Sequence, residues 1–218
     1  MRKRILIVGG MGPQASLALH RYLIEAAAKQ GVRNNRDYPL IIHASVPVED
    51  FISDVSARPR ALALLQQTLR PLKQFQFTDV VIACNTAHLL YDEIAEAVGV
   101  RPHSLMKLVN DELDRLGNPL AGLLATPTTI KSGLYQNVHT LGSHDQQTTL
   151  ALILDVLAGH TPQLAELDSL AVRLHRKGSK VVILGCTELS VINQSGPPND
   201  RVIDPLKLAT KQIMGIEV

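Results

Sequence analysis

Asp79-Val80-Val81-Ile82-Ala83-Cys84-Asn85-Thr86-Ala87-His88 and Lys180-Val181-Val182-Ile183-Leu184-Gly185-Cys186-Thr187-Glu188-Leu189 are the two stretches that decide the fold. Each is a β-branched and aliphatic run that stops at a cysteine and gives way to hydrogen-bonding residues. An apolar run of this length between polar ends reads as a strand buried on both faces of a parallel sheet. In open α/β sheets, ligands bind just past the carboxyl ends of such strands. Cys84 and Cys186 are the only cysteines in the chain. The two stretches read as copies of each other, each with its cysteine where chemistry is done.

Working outward, the same alternation recurs. Ile5–Val8 reads as a strand that ends in Gly9-Gly10-Met11-Gly12-Pro13. A helix follows from Pro13 to near Gly31, with Leu19, Tyr22, Leu23 and Ala26 on one face. Leu40–Ala44 is a second strand and Arg60–Lys73 an amphipathic helix, and another helix follows the first cysteine strand. Beyond Gly99 come a helix (Leu105 to Leu116), a strand (Leu120–Ala125), a short helix and a strand over Val138–Leu141. Helices near Gln146–Ala158 and Pro162–His175 then lead to the second cysteine strand. A loop over 195–200, a strand over Arg201–Asp204 and a helix from Pro205 complete the order. Gly9 precedes Cys84 by 75 residues and Ala125 precedes Cys186 by 61. The reading is α/β, as two Rossmann-like lobes related by a pseudo-twofold axis with both cysteines facing one cleft. The expected lobes are residues 1–100 with 205–218, and residues 101–204.

Composition narrows the function. The 218 residues are 45% hydrophobic and 19% charged, which describes a soluble globular protein. Aromatics at 3% with no tryptophan argue against stacking platforms for single-stranded nucleic acid. A net charge of +2 is too small to make nucleic acid or an acidic membrane the main partner. The run Ile5–Val8 after Arg2-Lys3-Arg4 is too short for a signal peptide or a membrane span, and two cysteines make no disulfide framework. The expectation is a cytoplasmic protein.

Gly10-Met11-Gly12-Pro13-Gln14-Ala15 matches G-x-G-x-x-[GA] between a strand and a helix. A dinucleotide site also needs an acidic residue ending the next strand. That strand ends at Ala44-Ser45, and Glu49 and Asp50 come too late. A carboxylate-sized anion fits the turn better, and a ligand-free tight turn stays open as an alternative. One cysteine alone reads as a buried, inert thiol, whereas two at matching strand ends, each before a helix start that favours thiolate, reverse that reading. Zinc held by Cys84, His88, Cys186 and Glu188 lacks any C-x-x-C or H-x-x-x-H pair to preorganise it. His88 either orients substrate or is an ordinary residue of the capping region. No G-x-S-x-G, P-loop or H-E-x-x-H occurs, which removes serine hydrolysis, nucleotide hydrolysis and zincin chemistry. Two thiols across a cleft suit inversion of a stereocentre by proton transfer. One removes the α-proton from one face, the other returns a proton to the opposite face, and the roles swap in reverse.

With these residues in view, the chain resembles the aspartate/glutamate racemase family, the pyridoxal-independent amino-acid racemases. The matching segments are Gly9–Pro13, Ala83–His88, Gly122–Thr126, Thr129–Tyr135 and Leu184–Leu189, in the expected order. The resemblance implies an interlobe active site, no cofactor, an amino-acid substrate and a homodimer. It implies that Cys84 takes the proton of the D-enantiomer and Cys186 that of the L-enantiomer. Met11, Asn85, Thr86, Thr126 and Thr187 fall where relatives hold the α-carboxylate and α-amino groups. Two positions depart from the aspartate-specific pattern. Phe51 stands where those relatives have an arginine, and Leu157 stands where they have a lysine before an Ala-Gly pair. Arg58 and Arg60 are the alternative cations. Sister families that reuse the scaffold as cysteine-dependent isomerases or decarboxylases, and an inactive small-acid-binding relative, are the competing readings. Retention of both thiols favours racemisation.

Overall fold

The computed structural model describes residues 2–49, 51, 54–160, 163–194, 196 and 199–216. Asp50, Pro162, Pro197 and Pro198, on which parts of the reading above fall, lie outside these residues. The chain divides into two compact units, Met1–Ser104 with Ala209–Val218, and Leu105–Leu208.

In the first unit, β1 (Arg4–Gly9), β2 (Leu40–Ser45) and β3 (Asp79–Ile82) form a parallel sheet in the order β2-β1-β3. Every residue of β3, and all of β1 beyond Arg4, is buried, as the apolar runs predict. Helix α1 (Pro13–Lys29) follows β1 and buries Leu19, Tyr22, Leu23 and Ala26. Its first-turn proline lacks the N–H that a helix start leaves unbonded in any case. Helices α2 (Arg58–Leu69) and α3 (Tyr91–Val98) pack Leu65, Leu69, Ile94 and Val98 into one cluster with Leu6, Val8, Val80 and Ile82.

Two differences from the sequence reading have plain causes. The helix expected over Arg60–Lys73 ends at Leu69 and tightens into a 3-10 turn over Arg70–Phe75. Pro71 has no N–H to donate, so an α-helix cannot run through it intact. The segment after Cys84 is likewise a 3-10 turn, Thr86–Leu90, before α3 begins. An α-helix would bond the His88 N–H to the Cys84 carbonyl. Instead the His88 N–H donates to Asn85 O at 3.1 Å, and the His88 ring Nδ1 meets Cys84 O at 2.9 Å. The side chain thus takes the acceptor that α-helical geometry would use.

The second unit contains α4 (Leu105–Arg115), β4 (Ala121–Leu124), α5 (Pro127–Lys131), β5 (Val138–His139), α6 (Ser143–Leu157), α7 (Leu164–Arg176), β6 (Val181–Leu184), α8 (Thr187–Asn193) and β7 (Val202–Ile203). Its four strands are parallel, in the order β5-β4-β6-β7. The strands expected at Val138–Leu141 and Arg201–Asp204 shrink to two residues each. They are the outermost strands, with one partner apiece. Asp204 leaves its strand to accept the N–H groups of Leu206 at 3.0 Å and Lys207 at 3.4 Å, at the start of α9 (Pro205–Met214). One apolar cluster joins α6, α7 and α8 to β4 and β6, and a second joins α4 to the same strands. Both units are thus parallel α/β layers of the same design. In each, a central strand (β1, β4) is flanked by an outer strand (β2, β5) and a cysteine strand (β3, β6).

Candidate functional site

The site residues fall into two groups, one in each unit. In the first, β1 and β3 are parallel neighbours with Val8 opposite Ile82, so the Gly9–Pro13 turn and the Ala83–Thr86 turn leave the same sheet edge. Gly10 has φ +91°, and a Cβ there would come within 2.4 Å of the Val46 backbone. Only glycine suits both the left-handed backbone and this approach. Packing against Val46 therefore accounts for this glycine of the G-x-G-x-x-[GA] match without any ligand.

Cys84 lies two residues past the end of β3. Ala83 N–H, just before it, donates to Val8 O at 2.9 Å. The Cys84 thiol is buried in the apolar cluster, and Met11 packs against that cluster while partly exposed. Asn85 and Thr86 are buried beside it. His88 is 8% exposed and stacks on Tyr91 at 5.9 Å. Burial pushes its pKa below the ordinary histidine value, against the opposing pull of the Cys84, His103 and Asn85 backbone. His88 is thus a neutral ring whose Nδ1–H donates to the Cys84 carbonyl, fixing the backbone that carries the thiol.

The second group repeats this arrangement. β4 and β6 are parallel neighbours with Leu124 opposite Leu184. Thr126 and Cys186 each lie two residues past their strand ends. Gly185 N–H, just before the cysteine, donates to Leu124 O at 2.7 Å, the counterpart of the Ala83–Val8 bond. Gly185 lets the strand ends meet, because a Cβ would fall 2.5 Å from Leu123 Cδ1 and 2.8 Å from Ala125 Cβ. Thr126 caps α5, its Oγ1 accepting from Thr129 N–H at 3.2 Å and donating to Thr129 Oγ1 at 3.1 Å. Cys186 is partly exposed, and Thr187 beside it is buried.

Here the two groups part. The Cys186 thiol donates to Glu188 Oε2 at 2.8 Å, and Thr187 Oγ1 lies 3.5 Å from the same oxygen. Glu188 is 3% exposed, and burial pushes its carboxyl above the ordinary range, ahead of the lowering effect of the Cys186, backbone and Thr187 hydrogen bonds. Tyr135 is also buried, and burial followed by the charge of Cys186 pushes its hydroxyl pKa up. Sequence reading cast Glu188 only as a possible metal ligand and gave Tyr135 no role. Side chains two apart on a helix do not face each other. Cys186, however, is the extended residue before α8, at φ −132° and ψ 131°, and this frees its thiol to reach Glu188. Among the described residues, no three His, Cys, Asp or Glu side chains are grouped to hold a metal ion. None of the helices there is long and apolar enough to cross a membrane.

Of the positions tied to side-chain specificity, Phe51 is 5% exposed within the first unit's apolar cluster, and Leu157 is 42% exposed at the end of α6. Arg60 makes a forked pair with Glu49 at 2.7–3.0 Å. Arg58 donates to Leu89 O at 2.7 Å, just past the Cys84 turn, and lies 3.6 Å from Glu93.

Among known proteins, a broad specificity amino-acid racemase, RacX, of Bacillus subtilis (strain 168) is 28% identical over 137 residues. That alignment spans 61% of this chain and 58% of the relative's length, less than two thirds of it. Two solved structures share the fold. Picrophilus torridus aspartate racemase matches with a TM-score of 0.77 at 22% identity, over 98% of this chain and 94% of the other. An aspartate racemase homologue from Pyrococcus horikoshii OT3 matches with a TM-score of 0.75 at 22% identity, over 98% of both chains. The family model for Asp/Glu/Hydantoin racemase matches residues 8–213, nearly the whole chain, including both cysteine motifs and the glycine turn. The chain belongs to the Asp/Glu/Hydantoin racemase family.

Proposed function

We propose that this protein is a cofactor-independent amino-acid racemase in which Cys84 and Cys186 serve opposite faces of one α-carbon. Cys84 takes the proton from the D-enantiomer and Cys186 from the L-enantiomer. In each direction the other cysteine, as thiol, returns a proton to the carbanion. Met11, Asn85, Thr86, Thr126 and Thr187 hold the α-carboxylate and α-amino groups, and hydrogen bonds to the carboxylate stabilise the charge that develops as the C–H bond breaks. His88 positions the Cys84 backbone.

One observation carries this reading. The two cysteines occupy equivalent places, two residues past the cysteine strand, in two sheets that share the order outer strand, central strand, cysteine strand, to which the second adds β7. In each case the preceding N–H is bonded to the central strand. Inversion needs two alike groups that exchange roles, and a duplicated strand end supplies a matched pair. The activity named for the Bacillus subtilis relative and the family membership support the same reading.

This reading leaves the substrate side chain open and counts against a second carboxylate unless Arg58 or Arg60 pairs with it. Phe51 and Leu157 replace the cations that a second carboxylate would need, and an unpaired carboxylate in an apolar pocket costs several kcal/mol.

Proton exchange tests the mechanism. Single enantiomers of the common amino acids are incubated with the protein in D₂O, and the α-proton NMR signal and optical rotation are followed. Wild type exchanges and racemises. Cys84→Ala still exchanges the α-proton of an L-substrate without inversion, and Cys186→Ala does the same for a D-substrate. Full racemisation by either variant refutes the two-thiol mechanism.

A further inference from the structure

We propose that Cys186 and Glu188 act as one proton-holding unit, with Glu188 the positioning residue that lets Cys186 become a thiolate by taking its proton. This rests on the racemase reading and adds a residue to it. The contact is direct, from the Cys186 thiol to Glu188 Oε2 at 2.8 Å. Glu188 is almost fully buried, and its second oxygen, Oε1, is buried with no hydrogen-bond partner. Among the described residues, no Lys, Arg or His forms an ion pair with it. A buried carboxylate without a cation is strongly disfavoured, and a thiolate against it would add like-charge repulsion. The two groups together therefore keep at least one proton. Helices α6 and α7 and strand β6 pack around α8 and bring no ion pair to Glu188. Tyr135, which feels the charge of Cys186, is held protonated by burial.

One proton between two groups allows two arrangements. In the first, the thiol donates to the carboxylate; the 2.8 Å separation of Sγ and Oε2 fits either arrangement. In the second, the proton sits on Glu188 and the carboxylic acid donates to a thiolate. Burial, which raises the Glu188 pKa, favours the second over what an exposed pair would allow. The thiolate form is the base. It takes the α-proton of the L-substrate, so the C–H bond breaks, an S–H bond forms and the electron pair stays on the α-carbon. The unit then holds two protons. In reverse, the S–H proton goes to the α-carbanion and the unit returns to one proton. No oxidant, reductant or further reactant is needed.

The cysteines of the full-length protein are alkylated with iodoacetamide across a range of pH, and each site is quantified by mass spectrometry. In wild type, the Cys186 rate rises in two steps, because coupled groups titrate as a pair. In Glu188→Gln it rises in one step, at least about one pH unit below the wild-type upper step, because the neighbouring negative charge is gone. The Cys84 curve does not move. A single Cys186 step in wild type, unmoved by the substitution, overturns the proposal. A second measurement needs no variant. Infrared spectra of wild type should lose the S–H and protonated-carboxyl bands over the same two steps. A carboxyl band gone while the S–H band is still whole overturns it.

Activity gives the third readout. Glu188→Gln in the Cys84→Ala background should slow exchange of the L-substrate by about tenfold or more and shift its pH profile. In the Cys186→Ala background, exchange of the D-substrate should change less than about twofold. Equal losses in both backgrounds mean a structural role only and overturn the proposal. If no background exchanges at all, the racemase reading fails, and the alkylation curves still decide the fate of the pair.

Discussion

Replacing Gly185 with alanine tests how closely β4 and β6 must meet for Cys186 to be presented. The backbone there is ordinary, so the cost is one of space. A Cβ would sit 2.5 Å from Leu123 Cδ1, 2.8 Å from Ala125 Cβ and 3.2 Å from Leu124 O. Carbon atoms prefer separations of about 3.5–4.0 Å. The Leu123 methyl ends a flexible side chain and can turn away, at about 1 kcal/mol for an off-rotamer position in a filled core. Ala125 Cβ is fixed to the backbone and cannot turn, so the strand ends must part by about 0.6 Å to relieve that contact. The Gly185–Leu124 hydrogen bond, 2.7 Å long, lies across the same gap and would lengthen past good geometry, at about 1 kcal/mol. The expected loss is about 2–3 kcal/mol, the upper range for overpacking a core. Urea denaturation followed by far-UV circular dichroism measures it, with a lower midpoint and an unchanged slope. Gly142→Ala is the control, since a Cβ there meets nothing within 4 Å, and it should cost less than about 1 kcal/mol. Racemisation in Gly185→Ala should fall more than the folded fraction does, because the displaced residue adjoins Cys186. Stability within about 0.5 kcal/mol of wild type would refute this account of the close approach.

Three further outcomes are expected. Ser190→Ala removes the hydroxyl that donates to Asp204 Oδ1 at 2.7 Å; with Asp204 fully buried, urea denaturation should show a loss of about 1–3 kcal/mol, and an unchanged midpoint would deny the bond its role. Burial pushes the folded pKa of His88 below the ordinary histidine value of 6.5, so the unfolded chain binds the extra proton first. Its contribution is therefore complete above the unfolded pKa and shrinks as pH falls through 6.5 toward the folded value. His88→Gln should flatten the acid side of the stability–pH curve, and a parallel curve would contradict the neutral, buried assignment. Aspartate should be a poor substrate, or should depend on Arg58 or Arg60; robust turnover in the Arg58→Ala, Arg60→Ala double variant would refute the argument from Phe51 and Leu157.

What the sequence made legible follows from burial. β1, β3, β4 and β6 are buried along nearly their whole length, so their apolar runs declare them without any knowledge of neighbours. The outermost strands β5 and β7 have one partner each, so their ends depend on tertiary contacts that no local pattern encodes. Pro71 was a readable signal for the end of α2, since a proline beyond a helix's first turn breaks its hydrogen-bond ladder. The 3-10 turn after Cys84 was not readable, because it depends on the His88 ring taking the Cys84 carbonyl. Side chains that compete with the backbone for its acceptors shift helix boundaries in ways that periodicity cannot register. Both cysteines were legible as strand-end residues. The Cys186–Glu188 contact was not, because it depends on the extended backbone of Cys186 rather than on helical spacing.

That contact also says how far the repeat extends. The two units agree in strand order, in the two-residue step from strand to cysteine and in the hydrogen bond just before it. They disagree in the acid–base group that follows. Four residues after Cys84 stands His88, buried, neutral and bonded to the cysteine's carbonyl. Two residues after Cys186 stands Glu188, buried and bonded to the thiol itself. Backbone geometry is what a repeated α/β layer reproduces most readily, because the sheet register imposes it. Side chains beyond the thiols are free to diverge once the layer is set. The proposed inversion needs its two thiols alike in kind, because each must act as acid and as base. It does not need them alike in surroundings, since the substrate presents a different enantiomer to each. Matched positions with unmatched neighbours are what that chemistry permits.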